Sequence, residues 1–324
     1  MNISLILKII PLIFLSHTAA HAEKTDEPSD ELHIPIGQVV AGKVRQNFKD
    51  PIDISIIVDP IAWSYPVITS EKAMAAKVGF LQIKLSRTIS IDGNNGLAFG
   101  KWKSVSTRNE IQIYGNDFGR RIISIEPPMF AGADMAMGPL ALPHKIVQFD
   151  DHPAAQGEAE FVFELARPKG IAFGVSYLQQ NKIHVAFNFM REKTFIPGNL
   201  LDIITKDIEF KIEDGPIIGG YFGSEIKTKM VTLSKSIRIG EFSLNSFLTS
   251  EKFQKDFDIP DDSLSEPPTS DDSVSNGKKD IVVIAEKDKK TATPFVILGR
   301  DILHKCSYIK FDKSKRMITL SCLK

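Results

Sequence analysis

Acid–base chemistry in this chain has to come from carboxylates, because its other reactive side chains are not grouped for it. Seven histidines stand at positions 17, 21, 33, 144, 152, 184 and 304 with no HExxH spacing, and there is no CxxC pair. No metal cluster and no cofactor is therefore expected. His144 and His152 could meet on a loop, though scattered surface or core histidines account for them. No Gly-x-Ser-x-Gly elbow and no phosphate-cradling glycine loop is present. Two carboxylates about 3 Å apart can share one proton, so that one acts as base toward water while the other donates to a carbonyl. Asp59, which ends the apolar run Ile54–Val58, is the leading carboxylate for such work, with Asp53, Asp134, Asp202 and Asp301 in reserve.

The elements that must position these groups read as strands. Short alternating segments run over Ile52–Val58, Phe80–Leu85, Ile111–Tyr114, Arg121–Ile125, Ile146–Phe149, Glu160–Leu165 and His184–Phe189, separated by Gly, Asn, Asp and Pro. That spacing predicts an all-β chain. Short helices are expected at Ser70–Lys77, Leu200–Lys206 and Asp301–Lys305. Asn-Gly within Asp92–Gly96 supplies the positive φ angles of a tight hairpin turn, with Trp102 near the return strand. An ordinary surface hairpin and one that projects over a cleft are both compatible with that signal.

The chain closes on an apolar run ending at Leu298-Gly299, a short segment Arg300–Lys305, and two alternating strands about Asp312-Lys313-Ser314-Lys315. Its two cysteines, Cys306 and Cys322, lie symmetrically about that turn. Antiparallel pairing would bring them nearly opposite, at the about 4.5 to 5.5 Å Cα separation that a disulfide can span. The alternative is two buried free thiols.

Together these patterns resemble the aspartic-protease superfamily, in its two-lobed pepsin form and its single-lobed retropepsin form. The family unit is an apolar strand ending in Asp-Thr-Gly, followed much later by an apolar-apolar-Gly element that packs across it. The chain resembles that unit twice, over Ile52–Phe149 and His184–Cys322. Asp59-Pro60-Ile61 stands at the first Asp-Thr-Gly, with Asp134-Met135-Ala136-Met137-Gly138 as its partner element. Asn188-Phe189-Met190 stands at the second, with Val296-Ile297-Leu298-Gly299 as partner. The resemblance implies an all-β, two-lobed architecture with an N-terminal lobe over residues 35–150 and a C-terminal lobe over 151–324. Gly138 and Gly299 would be its structural marks. Trp63 and Tyr65 would line or support the cleft between the lobes, together with Trp102, Phe189 and Met190.

The same resemblance makes the chemistry suspect. An amide at position 188 takes up and releases no proton near neutral pH, so acid and base roles cannot alternate between Asp59 and Asn188. Pro60 has no N–H to offer, and Ile61, Phe189 and Met190 replace small or polar groups with bulk that would fill the space of a water. Asp59 and Asn188 are expected instead to form a polar anchor across the lobe interface. The leading expectation is an inactive protease-like protein that binds an extended peptide or protein segment in its cleft. The alternatives are an active endopeptidase using Asp59 with an unplaced second acid, and a structural or assembly protein of the periplasm.

Residues 1–22 carry one cation, the apolar run Ile9–Leu15 and an Ala20-His21-Ala22 end, which reads as a secretory signal peptide. The run is broken by Pro11 and is shorter than the about 20 residues of a spanning helix. A periplasmic or secreted location without a membrane span follows. Its removal takes one lysine and no acid, leaving 39 bases against 40 acids. So even a balance gives no drive toward nucleic acid. A polar lead-in is expected over 23–34, and the Asp-, Ser- and Pro-rich stretch 256–280 reads as a disordered insertion in the second lobe.

Overall fold

The computed structural model describes residues 30–45, 50–76, 85–93, 96–104, 109–114, 116–120, 122–126, 132–167, 170–219, 225–250 and 294–324. The expected signal peptide and the acidic stretch 256–280 lie outside the described residues. The first strand, β1 (Glu31–Pro35), begins where a polar lead-in was expected. Of its residues only Ile34 is fully buried, so it carries no alternation for a sequence reading to catch.

The first lobe is built from β2 (Val39–Arg45), β3 (Ile52–Val58), β4 (Val67–Thr69), helix α1 (Ser70–Ala75), β5 (Leu85–Gly93), β6 (Gly96–Ser104), β7 (Asn109–Ile113), β8 (Asn116–Arg120), β9 (Ile123–Glu126) and β10 (Met135–Met137). These strands form one sheet in the order β5-β6-β9-β4-β10-β3-β2-β7-β8. After β11 (Ile146–Asp150) come β12 (Glu158–Ala166), β13 (Phe173–Leu178), β14 (Asn181–Phe187), helix α2 (Leu201–Thr205), β15 (Phe210–Gly219), β16 (Glu225–Ile239), β17 (Phe242–Thr249) and β18 (Phe295–Leu298). Helix α3 (Arg300–Leu303), β19 (Cys306–Asp312) and β20 (Met317–Leu323) close the chain. An eight-stranded sheet, β1-β11-β19-β20-β12-β13-β14-β18, joins the two ends of the chain, and β15-β16-β17 form a third sheet.

The pairing senses repeat. In the first lobe β3 is antiparallel to β2 and parallel to β10; β10 is antiparallel to β4; β4 is parallel to β9; β9 is antiparallel to β6, and β6 to β5. In the second, β14 is antiparallel to β13 and parallel to β18. Phe195 bridges antiparallel to Ile297 of β18 and parallel to Leu248 of β17, while β17 is antiparallel to β16 and β16 to β15. The architecture is therefore all-β and two-lobed, with one unit used twice, as the resemblance read in the sequence implies. Hairpin β7-β8 is an addition to the first lobe, and β12 ties the second lobe to the shared sheet.

Burial explains why these segments become strands. Ile54, Ile56 and Val58 alternate inward along β3. All four residues of β18 are buried, as a short strand paired parallel to β14 and covered on both faces requires. Ring contacts fasten the third sheet to the shared one: Phe242 of β17 lies 5.3 Å from Phe161 and 6.3 Å from Phe163. In the closing hairpin Cys306 pairs with Cys322 in register and the two form a disulfide, with Cα atoms 3.8 Å apart. Among the described residues no helix is long and apolar enough to cross a membrane.

Candidate functional site

Each copy of the unit ends its central strand in the same turn. Asp59 N–H donates to Met137 O at 3.0 Å, and Asn188 N–H donates to Leu298 O at 2.9 Å. In the first turn Ile61 N–H donates to Asp59 Oδ1 at 2.9 Å. In the second, Asn188 Oδ1 accepts from Met190 N–H at 2.9 Å and from Arg191 N–H at 3.1 Å. Both are side-chain-closed turns that Asp and Asn favour equally, because each offers one oxygen to the backbone two residues on. Asp59 and Asn188 are thus counterparts by geometry as well as by sequence.

The glycines that mark the partner elements are required by close approach. A Cβ on Gly138 would lie 2.1 Å from Ala62 O, and one on Gly299 would lie 2.4 Å from the carbonyl carbon of Lys193. Main-chain bonds close each contact: Gly138 N–H donates to Trp63 O at 2.8 Å, and Asp301 N–H to Glu192 O at 2.9 Å. Thr194 reinforces the second turn. Its hydroxyl donates to Asp301 Oδ1 at 2.8 Å and accepts from Gly299 N–H at 3.0 Å. Sequence reasoning gave Thr194 no role, although a threonine six residues past Asn188 at the head of the apolar pair Phe195-Ile196 was a readable signal.

The turns exchange contacts across the lobe boundary in matching fashion. Residues 63–64, beyond Asp59, meet the segment leading into β13: Trp63 bridges to Ile171, and Ser64 N–H donates to Gly170 O at 2.7 Å. Met190, beyond Asn188, lies over Gly37 in the segment leading into β2, where a Cβ would be 3.0 Å from its Sδ. Ile61 and Trp63 pack against the apolar cluster of Ile171, Phe173, Phe195 and Ile297 in the second lobe. Trp63 and Tyr65 are half-buried supports at this boundary.

Two expectations do not hold. Phe189 is 3% exposed and belongs to the main core rather than the cleft, while Met190 is 64% exposed. Pro60 is buried as well, so the second residue of each turn points inward and bulk there packs the core. Nor is there an Asp59–Asn188 anchor: each side chain hydrogen-bonds its own turn, and no hydrogen bond joins them. Trp102 lies on β6 opposite Ile125 and Arg87, on the return strand of the expected hairpin. Gly93 and Gly96 pair at its end, and residues 94–95 between them lie outside the described residues.

The electrostatics follow from these partners. Burial pushes the Asp59 carboxyl above its ordinary value, against the lowering effect of the Ile61 N–H. The other acids are engaged elsewhere. Asp134 Oδ2 accepts from Ser55 N–H at 2.8 Å and Ser55 Oγ at 2.9 Å, with Lys72 Nζ 3.6 Å away. Burial opposes its charge, but these partners hold its pKa below the usual carboxylate value. Asp301 does not cap α3, whose N-cap Gly299 has no side-chain bond; it accepts from Thr194 instead. Asp53 pairs with Lys43 at 3.9 Å on the surface, and Asp202 is exposed on α2. None of the four is hydrogen-bonded to Asp59, and no group of His, Cys, Asp and Glu among the described residues could hold a metal ion.

A cavity of about 390 Å³ opens beside the second turn, with Asn188 and Met190 on one wall and Pro216, Ile217 and Ile218 of β15 on the other. A second, of about 510 Å³, lies between β17, α3 and the chain end and contains neither Asp59 nor Asn188 in its lining.

No protein-family model and no curated relative matches the sequence. Solved structures similar to this chain include a retropepsin-like aspartic protease from Rickettsia conorii, at 13% identity and TM-score 0.25 over 51% of this chain and 92% of that one. Basic 7S globulin from soybean aligns at 7% identity and TM-score 0.36, over 87% of this chain and 92% of that one. Conglutin gamma, a basic 7S globulin from lupine seeds, aligns at 8% identity and TM-score 0.37, over 87% and 90%.

Proposed function

We propose that the chain is an exported, catalytically inactive aspartic-protease-like protein that binds an extended peptide or protein segment between its lobes. One observation carries the reading: Asp59 and Asn188 occupy equivalent turns, but one is a carboxylate and the other an amide, each tied to its own backbone. Hydrolysis by such a pair needs a proton to pass to the substrate and a second group to take one from water. Asn188 does neither, and Asp53, Asp134, Asp202 and Asp301 have other partners or other surroundings. The bridged cysteines and the absence of a long apolar helix among the described residues support a periplasmic or secreted setting.

The test is incubation of the mature protein with denatured casein between about pH 3 and about pH 7, the range in which a shared-proton carboxylate pair would work. The expected result is intact casein at every pH. Cleavage that pepstatin blocks and Asp59→Ala abolishes would overturn the reading in favour of an active endopeptidase.

A further inference from the structure

One sequence feature plays no part in the cleft, and that is the acidic stretch. From Asp256 to Asp272 the sequence holds seven acids and no base, in a mature chain whose charges otherwise balance. Phe257, Ile259 and Leu264 are set among those acids. A segment of this composition cannot build a core of its own, but it can fold onto a surface that supplies the missing partners. The stretch lies outside the described residues, while the strands on either side of it are placed: the chain leaves β17 at Thr249 and enters β18 at Phe295.

The cavity of about 510 Å³ between β17, α3 and the chain end has the complementary make-up. Phe161 and Phe242, with ring centroids 5.3 Å apart, line it together with Leu244 and Ile302. So does Leu323, an apolar side chain left 40% exposed. Lys193, Arg238 and Lys305 supply cations, and Lys324 adds an ammonium beside the carboxylate of the last residue. The acids of the lining are engaged. Glu241 is held by Arg238 at 2.9 Å; Asp301 Oδ1 accepts from Thr194 N–H at 2.9 Å and from its hydroxyl at 2.8 Å, and Oδ2 is buried. Lys193 and Lys305 form no ion pair among the described residues.

We propose that this cavity holds the chain's own acidic stretch. One apolar side chain from residues 257–264 lies on the floor of Phe161, Phe242 and Leu244, covering Leu323, and the carboxylates flanking it meet Lys193 and Lys305. The proposal stands apart from the cleft between the lobes. Reach permits it. From Thr249 back to Phe242, the far end of the strand that lines the cavity, is about 24 Å at about 3.4 Å per residue. Residue 257 follows Thr249 by eight residues, which extend to about 28 Å. Exposed ion pairs are individually weak, so the apolar anchor has to add to them. Covalent attachment makes the encounter intramolecular, which favours this stretch over a free acidic peptide.

The test places the photo-crosslinking residue p-benzoylphenylalanine at Phe257 in the full mature chain and maps the crosslinks by mass spectrometry after irradiation. Crosslinks to Phe242, Leu244 or Leu323 of the same chain are expected. Lys193→Glu combined with Lys305→Glu should lower their yield about fivefold, the effect of losing two exposed ion pairs. Lys182→Glu, at an exposed position outside the lining, should leave the yield unchanged. None of the three lysines is buried, so these variants should keep the wild-type thermal midpoint. Crosslinks elsewhere in the chain, none at all, or a yield indifferent to the paired Lys193 and Lys305 changes would overturn the proposal. Crosslinks between chains would also overturn it, by assigning the cavity to the stretch of a second copy.

Discussion

Replacing Asp59 by asparagine should stabilise the protein at neutral pH, and the pH dependence of that gain tests the description of the site. The carboxyl accepts Ile61 N–H at 2.9 Å, a bond that an asparagine oxygen can accept equally well, as Asn188 does from Met190 N–H at the same distance. Asp59 is half-buried, so the substitution keeps the turn and removes a charge that this partial burial disfavours. Leaving a buried polar group short of partners costs on the order of 1 to 3 kcal/mol, and more when it is charged. Recovery of about 1 kcal/mol corresponds to a rise of about 2 to 4 °C in the midpoint of a lobe-sized unit. The sign follows from the raised pKa. Below the ordinary value of 3.8 Asp59 is protonated in both folded and unfolded chains, and its contribution to stability is fully present. As pH rises from 3.8 through the higher folded value, the unfolded chain ionises first and that stability is lost. Thermal unfolding of wild type and Asp59→Asn, followed by circular dichroism, should thus diverge above this window and converge below it. A variant less stable than wild type at neutral pH would refute the reasoning, since it would mean that the carboxylate is held by favourable charge interactions.

Gly138→Ala and Gly299→Ala should each destabilise by about 1 to 3 kcal/mol, the usual cost of overpacking, because the new methyl meets backbone on the facing turn; denaturant midpoints measure this. Equal effects at the two sites would fit their equivalence, and a neutral Gly299→Ala would contradict the close approach to Lys193. Substituting both Cys306 and Cys322 by alanine, across a separation of 16 residues, should cost about 3 kcal/mol and leave a midpoint insensitive to reductant. His144, 3% exposed, is kept from protonation first by burial and then by Lys313, so it lowers stability as pH falls below its ordinary 6.5. His144→Leu should make the loss of thermal midpoint on acidification through that range shallower, and an unchanged slope would remove His144 as a cause.

Much of the site was legible because close approach leaves a mark in sequence. A glycine after an apolar run, Gly138 or Gly299, signals backbone packed on backbone, and the polar residue ending the facing strand, Asp59 or Asn188, then follows from order along the chain. The symmetric cysteines likewise announced the closing hairpin. The third sheet was not read, although its residues do alternate. Along β16 the buried positions run Ile226 and Thr228, then Val231 and Leu233, then Ile237 and Ile239, and the phase change after Thr228 hides the period. The change falls beside the β15–β16 slip, where Gly215 and Pro216 of β15 stand against Thr228, while the slip between Thr232 and Ile237 against β17 leaves the phase as it was. The cavity wall that bears Ile217 was lost with it. Phe189 was misplaced for another reason: its neighbour Asn188 closes a turn, and only backbone geometry tells which turn residue points to the core.

The central claim is that two equivalent turns build a cleft that holds a peptide and does not cut it. Its most direct measurement is mass spectrometry of peptides recovered from the protein after prolonged incubation in oxygen-18 water, where even slow hydrolysis leaves a label in the new carboxyl group. The account predicts full-length, unlabelled peptide from wild type and from Asp59→Ala alike. Shortened peptides carrying oxygen-18, formed by wild type and lost in Asp59→Ala, would contradict it.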